Sequence, residues 1–322
     1  MINYSIIIPH YNIPDLLIRC LRSIPEREDV QVIVVDDNSP NQDSYLSTIP
    51  ELSRRNVEFY PTKEGLGAGY ARNVGLQHAK GEWLVFSDSD DFFVDNFSEI
   101  LNEFVNDIHD IIYFNIKSCD CNNTSVLYNA DKLKTYKETQ DDLFLRVFYT
   151  EPWGKFIKHD LIKRNNISFQ ETKAHNDLLF AVKTGLLANS VTAVDKPLYW
   201  YVIREGSLGH SKGEEPFDKI CDRILAWNST QLFLEEQGLK TTMYLPVLPC
   251  VRAFKKNKRT YFNLLRFMWK NDLNCWRAII DTIRYGYYRL FDKNALNYQR
   301  MLTNNSIANY HGHKKCDCDK YV

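Results

Sequence analysis

The sequence predicts an α/β protein built on a mostly parallel β-sheet with helices on both faces, followed by a helical C-terminal extension. Three observations predict it. Short apolar runs rich in β-branched residues alternate with segments of helical periodicity through the first half of the chain. Those runs are apolar on both faces, as strands sandwiched between helical layers are. Polar residues gather directly after the first, second and fourth runs, and in such sheets ligands bind beyond the carboxyl ends of the strands.

Ser5 to Ile8 reads as the first strand, ended by Pro9. Leu16, Leu17, Cys20, Leu21 and Ile24 then recur at helical spacing, with Pro14 where a first helical turn tolerates it. Val30 to Val35 is the second strand, Asp43 to Arg55 a helix and Val57 to Tyr60 a short strand. A helix over Gly67 to Ala79, a strand over Trp83 to Phe86, a helix over Asp95 to Asn106 and a strand over Ile111 to Phe114 follow. Residues 116–140 are polar and read as an irregular excursion. Asp141 to Phe148, Ile157 to Arg164 and Asp177 to Ala188 carry helical patterns, and Val191 to Val194 and Leu198 to Val202 read as strands. Ile203 to Glu215 is rich in Gly, Ser and charge and reads as a loop; from Pro216 onward the chain reads as helix to about Leu290, with a weakly ordered tail after Thr303. The pattern divides the chain into domains 1–215 and 216–322.

With 44% apolar and 25% charged residues, the 322-residue chain can bury a full core. A net charge of -1 excludes a nucleic-acid binder by overall electrostatics. No apolar run approaches the roughly 18 residues that span a bilayer, and the N-terminus lacks the basic and apolar regions of a leader. The expectation is a cytoplasmic protein. Its eight scattered cysteines do not form a secreted disulfide framework. The pairs Cys119/Cys121 and Cys316/Cys318 could together make a four-thiolate zinc site, but they lack C-x-x-C spacing and read first as reduced thiols in a loop and a tail.

The strongest chemical signal is Asp88-Ser89-Asp90-Asp91 after the fourth strand. Crowded carboxylates repel unless a cation neutralises them, and oxygen ligands suit Mg²⁺ or Mn²⁺. A metal there would stabilise charge on a departing diphosphate. Asp36-Asp37 ends another strand of the same sheet, and a carboxylate there can accept the N3–H of uracil while Tyr11 stacks on or supports the base. Pro9-His10-Tyr11-Asn12 lines the mouth after the first strand. The glycine-rich stretch Gly65 to Asn73, with Gly67 at the helix entrance, can bring backbone amides and Arg72 near the nucleotide, or needs its glycines only for turning. It is not a dinucleotide fingerprint, because Tyr70 stands where the last glycine of G-x-G-x-x-G is required.

Four blocks, Ser5 to Asn12, Val32 to Ser39, Ala71 to Gly75 and Gly81 to Asp91, strongly resemble the family-2 glycosyltransferases of the GT-A fold, in that family's order and approximate spacing. The resemblance covers roughly residues 1–115, with weaker matches to about 210. It implies a metal-dependent, inverting transfer of a sugar from a nucleotide donor, UDP by default, to an acceptor hydroxyl. It implies that Pro9, Tyr11 and Asp37 contact the nucleoside, joined on the donor side by Asn12, Asp36, Gly67, Arg72, Asp88 and Ser89. Asp88 and Asp90 would form the D-x-D motif, Asp90 the more direct ligand of Mn²⁺ or Mg²⁺. The family's base is often the Asp of a Glu-Asp pair opening a helix after a Trp-x-Lys segment. Trp153-Gly154-Lys155 matches the latter and Asp177 the former, although Asn176 replaces the usual Glu. Asp177 suits the base role and equally suits a helix cap, with Glu171 in reserve. Trp153 suits either an acceptor-facing wall or the core. Arg204 and His210 match the donor-side flexible segment, Arg204 toward phosphate and His210 toward the metal or simply the surface.

Between Arg252 and Arg300, basic and aromatic residues interleave and only Asp272, Asp281 and Asp292 oppose them. Such a segment suits an anionic membrane surface near a lipid-linked acceptor, or a helical subdomain or dimer interface. The partners implied are a nucleotide-sugar and a glycan or lipid-linked acceptor, in bacterial surface polysaccharide synthesis. Two rivals stand: a catalytically inactive sugar-nucleotide-binding scaffold, and a sugar-phosphate nucleotidyltransferase, which needs a glycine-rich loop where Pro9-His10-Tyr11-Asn12 stands.

Overall fold

A computed structural model describes residues 1–119, 125–127, 130–202, 216–239 and 257–271, with 273, 276 and 280. The chain divides into two compact units, 1–213 and 214–322.

The first unit is organised by one nine-stranded sheet. Its strands are β1 (Tyr4–His10), β2 (Val30–Asp36), β3 (Val57–Pro61), β4 (Trp83–Phe86), β5 (Phe92–Phe93), β6 (Ile111–Cys119), β7 (Ser125–Leu127), β8 (Lys155–Lys158) and β9 (Val191–Val202). They run in the order β3-β2-β1-β4-β8-β6-β9-β5, with β7 on β6. The block β3-β2-β1-β4 is parallel throughout, and every residue of β1 and β2 is buried, as the two-sided apolar runs require. Beyond it the sheet becomes mixed. β8 is antiparallel to β4 and β6, β6 is parallel to β9, and β5 is antiparallel to β9.

The β1–β2 ladder runs to His10↔Asp36, but the β1–β4 ladder stops at Ile7↔Phe86. The two central strands therefore part at their carboxyl ends, a switch point where an α/β sheet opens a crevice. Pro9 stands just past the last β4 pair. The Ser87 amide donates to the Ile7 carbonyl, so Ile7, and by alternation Pro9, faces the β4 side.

The helices follow from local sequence. α1 (Pro14–Arg22) has Pro at its first turn, Asp15 near its N-terminus and Arg19 and Arg22 in its last turn, all favourable to the helix dipole. Arg54 closes its far end by donating to the carbonyls of Leu21 and Ile24. α3 (Ala68–His78) packs on β1 and β2. α4 (Phe97–Phe104), α5 (Ala130–Thr139), α6 (Leu143–Phe148), α7 (His159–Arg164) and α8 (Leu178–Leu187) complete the unit. The predicted helix over Asp43 to Arg55 is broken into a 3-10 turn, the short α2 (Tyr45–Thr48) and a second 3-10 turn, because Pro50 interrupts it.

Other differences share one cause, which is pairing with distant strands. Lys155–Lys158, partly read as helix, is a strand held between β4 and β6. The β6 strand extends past Phe114 to Cys119 along β9. The segment 116–140 contains the end of β6, then β7 and α5 rather than an irregular excursion. The two strands read at 191–202 are one, with a register shift opposite Asn115. The second unit contains α9 (Phe217–Glu236) and α10 (Lys258–Lys270) among its described residues.

Candidate active site

The crevice between β1 and β4 collects four segments: the ends of β1 and β2, the acidic turn after β4, the start of α3, and the 169–177 loop before α8.

At the β2 end, two adjacent aspartates have different tasks. Asp36 is 0% exposed, and its two oxygens accept from the Ser39 amide and hydroxyl, both at 2.7 Å. Its carboxylate thus holds the turn that follows β2. The Ser39 hydroxyl also accepts the Asn12 amide at 2.7 Å, holding Asn12 in the left-handed region at φ 51°. Asp37 accepts from the Gly67 amide at 2.7 Å through Oδ2. Its Oδ1 is buried and has no hydrogen-bond partner among the described residues. Burial raises the Asp37 pKa, and the Gly67 amide opposes that shift. Gly67, at φ 97°, occupies a conformation that favours glycine and so presents its amide to Asp37. Pro9 is buried within β1, while Tyr11 is 57% exposed at the mouth.

The acidic turn is fixed from several sides. Asp88, Asp90 and Asp91 bring one carboxylate oxygen each within 4.8 Å of one another. Ser89 between them is buried. Tyr199, on β9 and fully buried, accepts the Asp88 amide at 2.8 Å and donates to Asp91 Oδ2 at 3.0 Å. The Val202 amide donates to Asp91 Oδ1 at 2.8 Å. Arg19 donates to the Asp90 carbonyl, and its guanidinium lies over Phe92. The Cys20 thiol reaches Ser87 Oγ at 3.4 Å. Burial, then the neighbouring Asp88 and Asp90 charges, raises the Asp91 pKa well above its ordinary value. Three convergent carboxylate oxygens, only partly offset by Arg72 beside Asp88, suit a hard divalent cation such as Mg²⁺ or Mn²⁺.

Arg72 links this turn to the loop that carries Asp177. It is buried, donates to Asp88 Oδ1 at 2.5 Å and to Asn176 Oδ1 at 2.9 Å, and lies over the Phe169 ring. Sequence reasoning directs Arg72 toward the nucleotide; its two arms instead bridge Asp88 and Asn176. Asn73 seats the same loop, donating to the Phe169 carbonyl at 3.0 Å and accepting the Phe169 amide at 2.8 Å. Phe169 stacks on Phe180 with ring centroids 3.8 Å apart, and Phe86 meets both edge-on. Gly69 permits this docking, since a Cβ there would stand 2.1 Å from the Gln170 carbonyl oxygen.

Asp177 precedes α8 but makes no capping hydrogen bond. It is half-buried, and burial raises its pKa to about 6, with the Arg72 charge pulling the other way. Glu171 is exposed and accepts from Asn73 at 3.1 Å. Trp153 is 6% exposed and stacks near Tyr199 and Tyr201, while its Nε1 donates to Asp88 Oδ2 at 3.2 Å. Its ring is thus packed, and its edge orients Asp88; it is not an open platform for an acceptor sugar. Arg204 and His210 lie outside the described residues. Arg19, Cys20 and Tyr199 escape sequence reasoning because nothing in their local spacing ties them to the acidic turn, and Asp91 is visible only as a neighbour of the motif.

The model of the glycosyl transferase family 2 matches residues 5–165, half of the chain. The poly(ribitol-phosphate) beta-N-acetylglucosaminyltransferase TarS of Staphylococcus aureus is 30% identical over 230 residues, covering 68% of this chain and 39% of that protein. A poly(ribitol-phosphate) beta-glucosyltransferase of Bacillus spizizenii is 31% identical over 247 residues, covering 71% and 37%. The chain therefore spans about two fifths of the length of these relatives. The crystal structure of S. aureus TarS 1-349 in complex with UDP-GlcNAc superposes with a TM-score of 0.60 at 24% identity, over 83% of this chain and 81% of that one, and shows the shared fold. The expected GT-A architecture is the one found, and with the matched family sequence it establishes that this chain belongs to glycosyl transferase family 2.

Proposed function

We propose that the protein is a metal-dependent, inverting glycosyltransferase that moves a sugar from a UDP-sugar to a hydroxyl of a glycan or lipid-linked acceptor, in the cytoplasm and in surface polysaccharide assembly. One observation carries the reading. A single buried guanidinium, Arg72, joins the acidic turn to the loop bearing Asp177, whose pKa is raised to about 6. The names of the similar proteins, which specify sugar transfer to poly(ribitol-phosphate), and the UDP-GlcNAc complex of TarS support the class of donor and acceptor.

In this reading Asp37 Oδ1, the buried oxygen without a partner, accepts the uracil N3–H, and exposed Tyr11 covers the base. Asp90 and Asp88 are the residues that would hold a divalent cation, which would supply positive charge to offset that of the diphosphate. Trp153 and Arg72 orient Asp88, and Tyr199 keeps the turn closed. Asp177 takes the proton of the acceptor hydroxyl as its oxygen bonds to the anomeric carbon from the face opposite the nucleotide. The bond from that carbon to the diphosphate breaks, its electron pair leaves with UDP, and the configuration inverts. A base with a pKa near the working pH combines adequate ionisation with adequate basicity. The Arg72–Asn176 bond does in this chain, with a neutral partner, what would otherwise place a second carboxylate beside the base.

The test is thermal denaturation with UDP and manganese, followed by a donor panel scored by nucleotide release. UDP with manganese is expected to raise the melting temperature of the parent and not of Asp90→Ala. A parent protein indifferent to UDP with manganese sinks the reading.

A further inference from the structure

The surface that carries furthest lies on α10, in the second unit. Its thirteen residues include Lys258, Arg259, Arg266 and Lys270 and no acid. Asn257 starts the helix by accepting the Arg259 and Thr260 amides. Leu264 and Met268, one turn apart, are buried with Cys221 and Ile224 of α9. That stripe satisfies the helix's demand for a packed face.

The opposite face would ordinarily be wholly polar, and here two large aromatic side chains stand among its charges. Phe262 is 63% exposed and Trp269 is 74% exposed. They lie two turns apart on one side, interleaved with the four cations, and these six side chains fall within an arc of about 120° at 100° per residue. No ion pair among the described residues engages the cations. A solvated face has no need of a bare indole and a bare phenyl ring. A face meeting a lipid surface does, since aromatic rings enter the boundary between headgroups and acyl chains while long basic side chains reach the phosphates. The charge is complementary to anionic lipid. No described helix is long and apolar enough to cross a membrane, so this face would lie along the surface.

We infer that the solvent face of α10 docks on anionic bilayers, with Phe262 and Trp269 entering the interface and Lys258, Arg259, Arg266 and Lys270 pairing with lipid phosphates. This gives residues to the membrane contact expected from the basic, aromatic segment, rests on the cytoplasmic setting proposed above, and requires neither donor nor metal.

The experiment is co-sedimentation of the full chain with vesicles of phosphatidylcholine alone and of phosphatidylcholine with about one third phosphatidylglycerol, without nucleotide. The expected result is partition into the anionic vesicles only, reduced by high salt. The double variant Phe262→Ala/Trp269→Ala, at exposed positions, should lose it by tenfold or more. Arg259→Gln/Arg266→Gln should weaken it about fivefold for each cation removed. Donor hydrolysis in free solution by both variants should match the parent, so a failure of the transfer reading and a failure of the docking reading are seen separately. The inference is overturned if anionic vesicles do not retain the parent, or retain both variants equally well. It is also overturned if the variants instead abolish self-association or binding of a single-stranded oligonucleotide while the vesicles remain indifferent.

Discussion

Replacing Asp177 with Asn should remove transfer activity and at the same time stabilise the fold at neutral pH. The sign follows from the raised pKa. In the unfolded chain the carboxyl ionises near 3.8, and in the folded protein near 6, because burial outweighs the attraction of Arg72. The folded state thus binds the proton more tightly. The stability that this affinity contributes is full below about pH 4 and is lost as pH rises through 6. Two pKa units correspond to about 3 kcal/mol, and partial solvent access lowers this to about 1–3 kcal/mol. Asn is isosteric and neutral, keeps the packing and never pays the ionisation cost. The variant should therefore melt roughly 2–8 °C above the parent at pH 8, and the difference should vanish at pH 4. Calorimetry of the ligand-free protein across that range measures it. Steady-state transfer by the parent should fall about tenfold between pH 7 and pH 5, following the ionised fraction of a group of pKa near 6. A variant whose advantage over the parent is no larger at pH 8 than at pH 4, or one that still transfers sugar at the parental rate, would refute the reasoning.

Three further outcomes follow from neighbouring contacts. Arg72→Gln removes the charge that lowers the Asp177 pKa, so the acid limb of the kcat profile should move above 6, in addition to a loss of rate; an unmoved limb would separate the two residues. Gly69→Ala places a methyl group 2.1 Å from the Gln170 carbonyl oxygen and 3.0 Å from Asn176 Cβ. The loop must shift, at a cost of about 1–3 kcal/mol, and kcat should fall more than UDP affinity does, as paired kinetics and calorimetric titration would show. Tyr199→Phe leaves the Asp88 amide and one oxygen of buried Asp91 without the hydroxyl between them, for about 1–3 kcal/mol of lost stability and a weaker manganese titration endpoint.

The parallel half of the sheet was readable because its strands are apolar on both faces and its helices are periodic, signals carried by adjacent residues. Asp37 and the acidic turn were readable for the same reason, since both lie where those strands end. What the sequence hid was set by distance. Lys155–Lys158 has too few residues to declare a period and becomes a strand only because β4 and β6 flank it. Phe92–Phe93 is a strand by virtue of Trp200 and Tyr199 opposite. Tyr199 meets Asp91 across 108 positions, and Arg72 meets Asn176 across 104, so neither partnership leaves a local trace. Trp153 matched a motif, yet its indole edge serves Asp88 and its ring is packed, a distinction that only the fold can make.

Pro9 has one more consequence. Any other residue there would aim an amide hydrogen into the gap where β1 and β4 separate, and that donor would demand a water, a loop or a foreign strand edge to accept it. A ring nitrogen that has nothing to give leaves the gap quiet. The split between the two strands therefore carries no amide donor at Pro9, and a stray segment finds one foothold fewer from which to zip the sheet shut over the crevice.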